Sequence, residues 1–163
     1  MISRLYIMPK GKDSRTRLFL KLWNNLGLRN KVSDVSILDS YIINSEITQD
    51  ELIKSANALT NPILEKFSIN QLPKEKKFSY VIEIGFLPGV TDNIAHTVKE
   101  TIVDLFHLRE ETKLEVYTSK VFLIFGFARG RSTVKRTIEL EDAKKIALSL
   151  YNPLIEQGHF FSV

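Results

Sequence analysis

Hydrophobic positions along the chain alternate between a two-residue and a helical period, and the alternation follows the same order twice. Segments 5–8 and 80–86 have the alternation typical of short strands, with Ile82, Ile84 and Phe86 on one face. Longer extended segments follow at 35–44 and 114–125, and each is separated from its neighbours by segments with helical spacing. The sequence therefore predicts strand, helix, long strand, helix and short strand, repeated once.

Four amphipathic helices are predicted from apolar residues at helical spacing. The first is expected to bury Leu18, Leu22, Trp23 and Leu26, and the third Ile94, Val98, Ile102, Leu105 and Phe106. The second carries Leu52, Ile53, Ala56 and Leu59 at this spacing, and the fourth Ala143, Ile146, Ala147 and Leu150. Gly27 is expected to close the first helix, and Thr48 with Glu51 predicts a capping box at the start of the second.

The long extended segment of the second half changes phase near Ser119. Leu114 and Val116 lie on one alternation, whereas Val121, Leu123 and Phe125 lie on the other. Such a change predicts a bend or bulge, because one extra residue moves side chains to the opposite face. Asp39-Ser40 occupies a similar place in the first half.

A five-residue phrase recurs after the second and fourth helices. Asn61-Pro62-Ile63-Leu64-Glu65 in the first half corresponds to Asn152-Pro153-Leu154-Ile155-Glu156 in the second. Asn-Pro is expected to end each helix, since Asn tolerates a left-handed exit and Pro cannot continue the amide ladder.

A second recurring feature is a turn with Pro, Gly and Asp between the first strand and first helix of each half. Its residues are Pro9, Gly11 and Asp13 in the first half and Pro88, Gly89 and Asp92 in the second. Gly permits a positive φ, and Asp is a favoured helix N-cap.

These repeats predict an α+β chain in which one unit is duplicated. The expected division is a first unit over 1–70, a linker over 71–78 and a second unit over 79–163. We expect antiparallel sheets with the helices on one face, and the two sheets packing or joining as an intramolecular pseudo-dimer. A monomer is then the default expectation.

Composition narrows the functional classes. The 163 residues include no cysteine, which removes disulfides, thiolate metal sites and cysteine nucleophiles and is compatible with the cytoplasm. The N-terminal residues do not resemble an export signal, and the longest apolar run, 121–128, is too short for a membrane span. A net charge of +4 indicates at most weak attraction to a polyanion, so neither a membrane nor nucleic acid is the expected partner.

No catalytic, cofactor or metal site is predicted. No glycine-rich phosphate-binding motif is present, and Asp13 and Asp92 are explained as helix caps. His96 and Glu100 are four residues apart on a helix and are interpreted as a surface pair. The densest basic cluster is Arg129, Arg131, Lys135 and Arg136; it is interpreted first as a solvated loop and secondly as a contact for an acidic partner or phosphate.

Two of these phrases resemble a known family. Leu87-Pro88-Gly89-Val90-Thr91-Asp92 resembles the signature turn of the small PurS-type subunit of phosphoribosylformylglycinamidine synthase, and Asn152-Pro153-Leu154-Ile155-Glu156 resembles its ending. The duplicated form is similar to the N-terminal region of the large fused enzyme, over about residues 5–160. Asn93 stands where the family often has Pro, and the first copy is looser.

The resemblance implies a non-catalytic domain in a glutamine- and ATP-dependent ligase of purine biosynthesis. It implies glutaminase and synthetase parts as partners, with this domain helping ammonia pass between them. Pro88, Gly89, Asp92, Arg129 and Arg131 are the candidate contact residues. The alternatives are a stand-alone ferredoxin-like module that binds a small ligand or RNA and, third, an enzyme in its own right.

Overall fold

The computed structural model describes residues 1–29, 31–73, 78–109, 112–127 and 138–162. The first half contains β1 (Ile2–Pro9), α1 (Ser14–Trp23), a π-helical turn (Asn24–Leu28), β2 (Val32–Ser45), α2 (Gln49–Leu59) and β3 (Glu65–Ile69). The second contains β4 (Tyr80–Phe86), α3 (Asn93–Phe106), β5 (Leu114–Gly126), α4 (Leu140–Leu150) and β6 (Glu156–Ser162). The strand and helix order predicted from the hydrophobic pattern is confirmed in both halves.

The strands form one antiparallel six-stranded sheet, in the order β3-β1-β2-β5-β4-β6. In the first half, β1 pairs with both β2 and β3, with Leu5 opposite Tyr41 on one side and Ile69 on the other. In the second half, β4 pairs with β6, with Ile82 opposite Phe160. Of the two expected arrangements, sheets that pack or sheets that join, the described strands show a single joined sheet, and the α+β class and the antiparallel pairing are confirmed. Among the described residues, none of the helices has the length and apolar character needed to cross a membrane.

The chain forms two compact units that differ from its sequence halves. The first unit comprises Met1–Gly11, Leu38–Pro73 and Pro88–Ser119, and the second comprises Lys12–Ile37, Lys74–Leu87 and Lys120–Val163. The first unit therefore contains α3 from the second half, and the second unit contains α1 from the first half. These structural units do not coincide with the two repeats expected from the sequence, residues 1–70 and 79–163.

Each unit has its own apolar core. The first unit buries Leu5, Ile7, Ile43, Ile47, Leu52, Ala56, Ala95, Val98, Ile102, Leu114 and Val116. The second buries Trp23, Leu28, Val32, Val35, Ile37, Ile82, Ile84, Phe122, Ile124, Ile138, Ala143, Ile146 and Ala147. Burial of these side chains removes apolar surface from water, which is the main stabilising contribution to each unit.

The strand β5 changes its burial pattern where it leaves one unit and enters the other. Leu114 and Val116 are buried and their neighbours Glu115 and Tyr117 exposed, whereas all five side chains from 121 to 125 are buried. The unit boundary lies directly after Ser119, at the position of the predicted phase shift, although the strand itself is continuous. Phe122 and Ile124 continue the alternation of Leu114 and Val116 into the second core. The pattern changes because Val121, Leu123 and Phe125, on the other alternation, are buried as well.

The predicted burial of the first helix is wrong for its leucines. Leu18, Leu22 and Leu26 are 71%, 41% and 45% exposed, whereas Trp23 is fully buried. The helix instead faces its core with Phe19, Leu20 and Trp23, which lie on the neighbouring side of the helical wheel.

The third helix shows a smaller correction of the same kind. Ile94 and Leu105 are exposed, because Ala95, Val98 and Ile102 define the buried stripe. The predicted burial of Val98 and Ile102 is confirmed, and Phe106 packs against the core as a partly buried side chain.

Candidate functional site

The turn between β4 and α3 presents Pro88 and Gly89 at the surface. Gly89 has φ 86°, the left-handed region, and a side chain added there would meet no atom of the described residues within 4 Å. The glycine is therefore required by backbone conformation rather than by lack of space. Pro88 and Gly89 are both exposed, so the apex of this turn is accessible to a partner.

Asp92 fixes the end of this turn with both carboxylate oxygens. Oδ1 accepts a hydrogen bond from the amide of Ala95 at 2.9 Å, which caps α3. Oδ2 accepts from the Thr118 amide at 2.9 Å and from the Thr118 hydroxyl at 2.8 Å. Asp92 thus connects the first turn of α3 to β5. Three hydrogen-bond donors stabilise its carboxylate in this position.

Asp13 caps α1 by a different arrangement. Its Oδ1 accepts from the Arg15 amide at 2.9 Å, and its carboxylate forms an ion pair with the Arg15 guanidinium at 2.7 Å. Burial acts to raise the pKa of Asp13, but the hydrogen bonds and charge of Arg15 outweigh it, so the pKa is lowered overall. Both predicted N-caps are confirmed, but only Asp92 is tied to a strand by the bonds above.

The prolines of the two turns do not occupy equivalent positions. In the first half, Pro9 lies opposite Glu65 in the β1–β3 pairing. In the second half, Glu156 corresponds to Glu65, and it lies opposite Phe86 in the β4–β6 pairing. Pro9 is therefore a strand residue, whereas Pro88 follows its strand. Among the described glycines only Gly27 and Gly89 have positive φ, so the predicted special backbone at Gly11 is not found.

Tyr41 of the first unit lies in an acidic environment. Burial is the main factor that raises its pKa above 10.0, and the negative charges of Asp39, Glu65 and Asp92 raise it further. The hydroxyl therefore stays protonated at neutral pH, and it can serve as a hydrogen-bond donor but not as a base.

The two Asn-Pro phrases fold into turns with the same hydrogen bonds. In the first, Asn61 Oδ1 accepts from the Ile63 amide at 3.0 Å, and the Asn61 amide donates to Glu65 Oε2 at 2.9 Å. In the second, the matching distances are 3.1 Å from the Leu154 amide to Asn152 Oδ1 and 2.8 Å from the Asn152 amide to Glu156 Oε2.

The backbone bonds of these turns match as well. The Glu65 amide donates to the Asn61 carbonyl at 2.8 Å, and the Glu156 amide donates to the Asn152 carbonyl at the same distance. The phrase therefore forms a turn that begins at Asn and ends at Glu, and the Glu carboxylate accepts a hydrogen bond from the Asn backbone amide. The helices end one residue earlier, at extended caps Thr60 and Tyr151, and neither Asn has the predicted left-handed conformation.

Each Asn-Pro turn displays its two apolar residues to solvent. Ile63 and Leu64 are exposed in the first unit, and Leu154 and Ile155 in the second. Exposed branched side chains on turns fixed by hydrogen bonds can contact a partner with little loss of conformational entropy.

The remaining candidates have modest roles or lie outside the described residues. His96 Nε2 lies 3.3 Å from Glu100 Oε1, with both side chains well exposed, as expected of a surface pair. In the described ranges no group of three or more His, Cys, Asp or Glu residues is arranged to hold a metal ion. Arg129, Arg131, Lys135 and Arg136 lie outside the described residues.

Sequence reasoning missed the exposed leucines of α1 as a candidate contact surface. Two signals could have identified them: the spacing of Leu18, Leu22 and Leu26, and the complete lack of Asp and Glu between residues 14 and 33. With the larger aromatic residues Phe19 and Trp23 available for the core, the leucines form a second apolar face.

Neither the known protein-family models nor the curated protein sequences contain a match to this chain.

Proposed function

We propose that this chain is a non-catalytic bridging domain of phosphoribosylformylglycinamidine synthase, the ligase that makes formylglycinamidine ribonucleotide from glutamine, ATP and formylglycinamide ribonucleotide. In this role it couples the glutaminase and synthetase parts of the enzyme. The fold would then be a tandem of two PurS-like units, derived by duplication and arranged as an intramolecular pseudo-dimer with its helices on one face.

The observation that carries this proposal is the pair of Asn-Pro turns. Each turn lies between the second helix and the last strand of its half, and both halves have the same order of strands and helices. The side-chain and backbone hydrogen bonds of the two turns are the same. Matched geometry over the phrase that carries the family resemblance supports a common origin of the two halves.

The side chains that could suggest catalysis also support a scaffold role. Asp92 is engaged by Ala95 and Thr118, and Asp13 by Arg15. A general acid or base must reach the proton that it transfers, whereas these carboxylates are occupied in fixing helix starts. The exposed Pro88-Gly89 apex is the proposed contact with the catalytic parts, and Asp92 holds it in position.

The proposal is tested by reconstituting the synthetase and glutaminase parts with and without this chain. Product formation is measured once with glutamine and once with ammonium chloride as the nitrogen source. We expect the chain to increase glutamine-dependent turnover strongly and ammonia-dependent turnover little. Equal turnover with and without the chain would contradict the bridging role.

Two glycine variants provide a matched comparison in that assay. Gly89→Ala places a side chain at φ 86°, a conformation that costs L-residues about 1–2 kcal/mol and reshapes the apex. Gly11 has no positive φ, and a side chain added by Gly11→Ala meets no atom within 4 Å in the described part of the chain. We expect the Gly89 variant to weaken coupling to glutamine while the Gly11 variant retains it, with circular dichroism confirming that both are folded.

A further inference from the structure

The solvent face of α1 carries an apolar stripe. Leu18, Leu22 and Leu26 recur every fourth residue along α1 and the π-helical turn, and all three are exposed. At 1.5 Å rise per residue Leu18 and Leu22 are about 6 Å apart along α1, and Leu26 continues the row into the π-helical turn. Exposed leucines are common singly, but an aligned row makes a continuous patch that favours contact with another apolar surface.

Positive charge borders this stripe. Arg17 and Lys21 form the adjacent row on the helix, and Lys12 and Arg29 are exposed near its two ends. No Asp or Glu occurs between residues 14 and 33, and the preceding Asp13 is held by Arg15. In the described part of the chain no carboxylate is paired with Arg17 or Lys21.

We infer that this face of α1, defined by Leu18, Leu22, Leu26, Arg17 and Lys21, is a docking surface for an acidic amphipathic helix of a partner protein. An exposed apolar row can pack against the apolar row of a second helix, and acidic flanks on that helix complement the cations. The arrangement has the apolar centre and polar rim that are usual in protein interfaces.

Charge and exposure favour this occupant over two others. A second copy of the chain would bring Arg17 and Lys21 against equivalent cations, which opposes association. A lipid surface is favoured by apolar side chains that protrude deeply, yet Leu22 and Leu26 are more than half covered by the protein itself. The inference does not depend on the proposed enzyme, because it specifies only the chemistry of the partner.

The test uses the full chain and a designed helical peptide with leucine at every fourth position and glutamate on both flanks. Binding is measured by fluorescence anisotropy of the labelled peptide, with a scrambled peptide of the same composition as reference. We expect saturable binding of the designed peptide, weakened by added salt because surface charges are screened. The scrambled peptide should bind at least about tenfold more weakly, a difference of 1.4 kcal/mol.

Matched variants locate the surface. Leu18→Ala combined with Leu22→Ala should weaken peptide binding about tenfold or more, since several buried methylene groups are lost. Leu148→Ala removes a comparably exposed leucine from α4 and should leave the affinity unchanged. Lys21→Glu should weaken binding further at low salt, whereas Lys99→Glu on α3 should not.

Three results would overturn the inference. The first is the absence of saturable peptide binding, and the second is equal weakening by the Leu148 variant. The third is that the protein binds phosphatidylserine vesicles or a polyuridine oligonucleotide but not the peptide, and that this binding is lost when Leu18 and Leu22 are both replaced by Ala. That result would assign the face to a lipid or RNA instead.

Discussion

Lys31 and Asp142 form an ion pair between residues 111 positions apart in the chain. The ammonium group donates to both carboxylate oxygens, at 2.8 Å and 2.7 Å, and the Asp142 side chain is only 6% exposed. The same carboxylate accepts from the Glu139 amide at 3.0 Å and so caps α4. One side chain thus fixes the start of α4 and attaches it to the segment that follows α1, within the second unit.

The first prediction concerns the pH dependence of this pair. Burial acts to raise the pKa of Asp142, but hydrogen bonds from Lys31 and Glu139 and the charges of Lys31 and Lys145 lower it overall. A carboxyl group with a lowered folded pKa stabilises the protein above its unfolded pKa of about 3.9 and loses that contribution as pH falls through the folded value. Asp142→Asn should therefore cost about 1–3 kcal/mol at neutral pH, and the difference should shrink in acid.

Urea unfolding measured across the acid range checks this expectation. The neighbouring Glu141 is paired with Lys144 at 2.8 Å, but both side chains are exposed. Glu141→Gln should therefore change the unfolding free energy by less than about 0.5 kcal/mol at any pH. A difference for Asp142→Asn that stays constant down to the lowest pH would show that ionisation of Asp142 does not stabilise the fold.

The second prediction compares the caps of α1 and α3. Asp92→Ala removes a helix cap and both hydrogen bonds from Thr118, so it should cost about 2–3 kcal/mol. Asp13→Ala removes a cap and the ion pair with Arg15. Because the Arg15 side chain is exposed, the ion pair contributes little, and the substitution should cost about 1 kcal/mol. The unfolding free energy of each variant gives the comparison.

A double-mutant cycle isolates the connection to β5. Thr118→Val should destabilise the wild-type protein but have a smaller effect when Asp92 is already Ala, because the hydroxyl has lost its acceptor. Additive effects of the two substitutions would mean that the hydrogen bond from the Thr118 hydroxyl to Asp92 contributes no coupling.

Features held within a few residues could be predicted from the sequence. The capping box of α2 is confirmed because both partners lie in one turn: the Thr48 amide donates to Glu51 Oε2 at 2.8 Å, and the Glu51 backbone amide donates to Thr48 Oγ1 at 3.3 Å. Gly27 likewise has the left-handed φ of 82° that a glycine after a helix often adopts. Local spacing carries enough information for such elements.

The orientation of α1 could not be predicted in the same way. Its leucines and its aromatic residues form apolar rows on two sides, so the hydrophobic pattern identifies a helix without selecting a buried face. Tertiary contacts decide it: the Phe19 ring lies 5.4 Å from the Phe122 ring, and Trp23 Nε1 donates to Ser149 Oγ at 3.0 Å. Contacts over 126 positions, such as the latter, leave no periodic signal.

The third prediction concerns the buried hydroxyl of Ser40. This side chain is fully buried opposite Tyr6 in the sheet, and in the described part of the chain its Oγ has no hydrogen-bond partner. A buried polar group without a partner costs about 1–3 kcal/mol, so Ser40→Ala should leave stability unchanged or raise it by up to about 1 kcal/mol. Thermal unfolding compares the variant with the wild type.

Thr60 provides the control for that substitution. Its buried hydroxyl donates to the Ala56 carbonyl at 2.7 Å, so Thr60→Val should destabilise by about 0.5–1.5 kcal/mol. A Ser40→Ala variant that is destabilised as much as Thr60→Val would show that the Ser40 hydroxyl is satisfied in solution.

The last prediction tests whether the two Asn-Pro turns are energetically equivalent. Asn61→Ala and Asn152→Ala each remove a side-chain acceptor from the same position of the same turn, so each should cost about 0.5–1.5 kcal/mol in urea unfolding. Asn57→Ala is the control, because Asn57 is exposed inside α2, where Ala has the higher helix propensity, and its loss should be neutral or stabilising. If the costs at Asn61 and Asn152 differ by more than about 1 kcal/mol, the repeated hydrogen bonds contribute unequally to the two units. Agreement within about 0.5 kcal/mol would instead mean that the surroundings of the two turns are matched as well as their geometry, because the cost of losing a hydrogen bond depends on its environment.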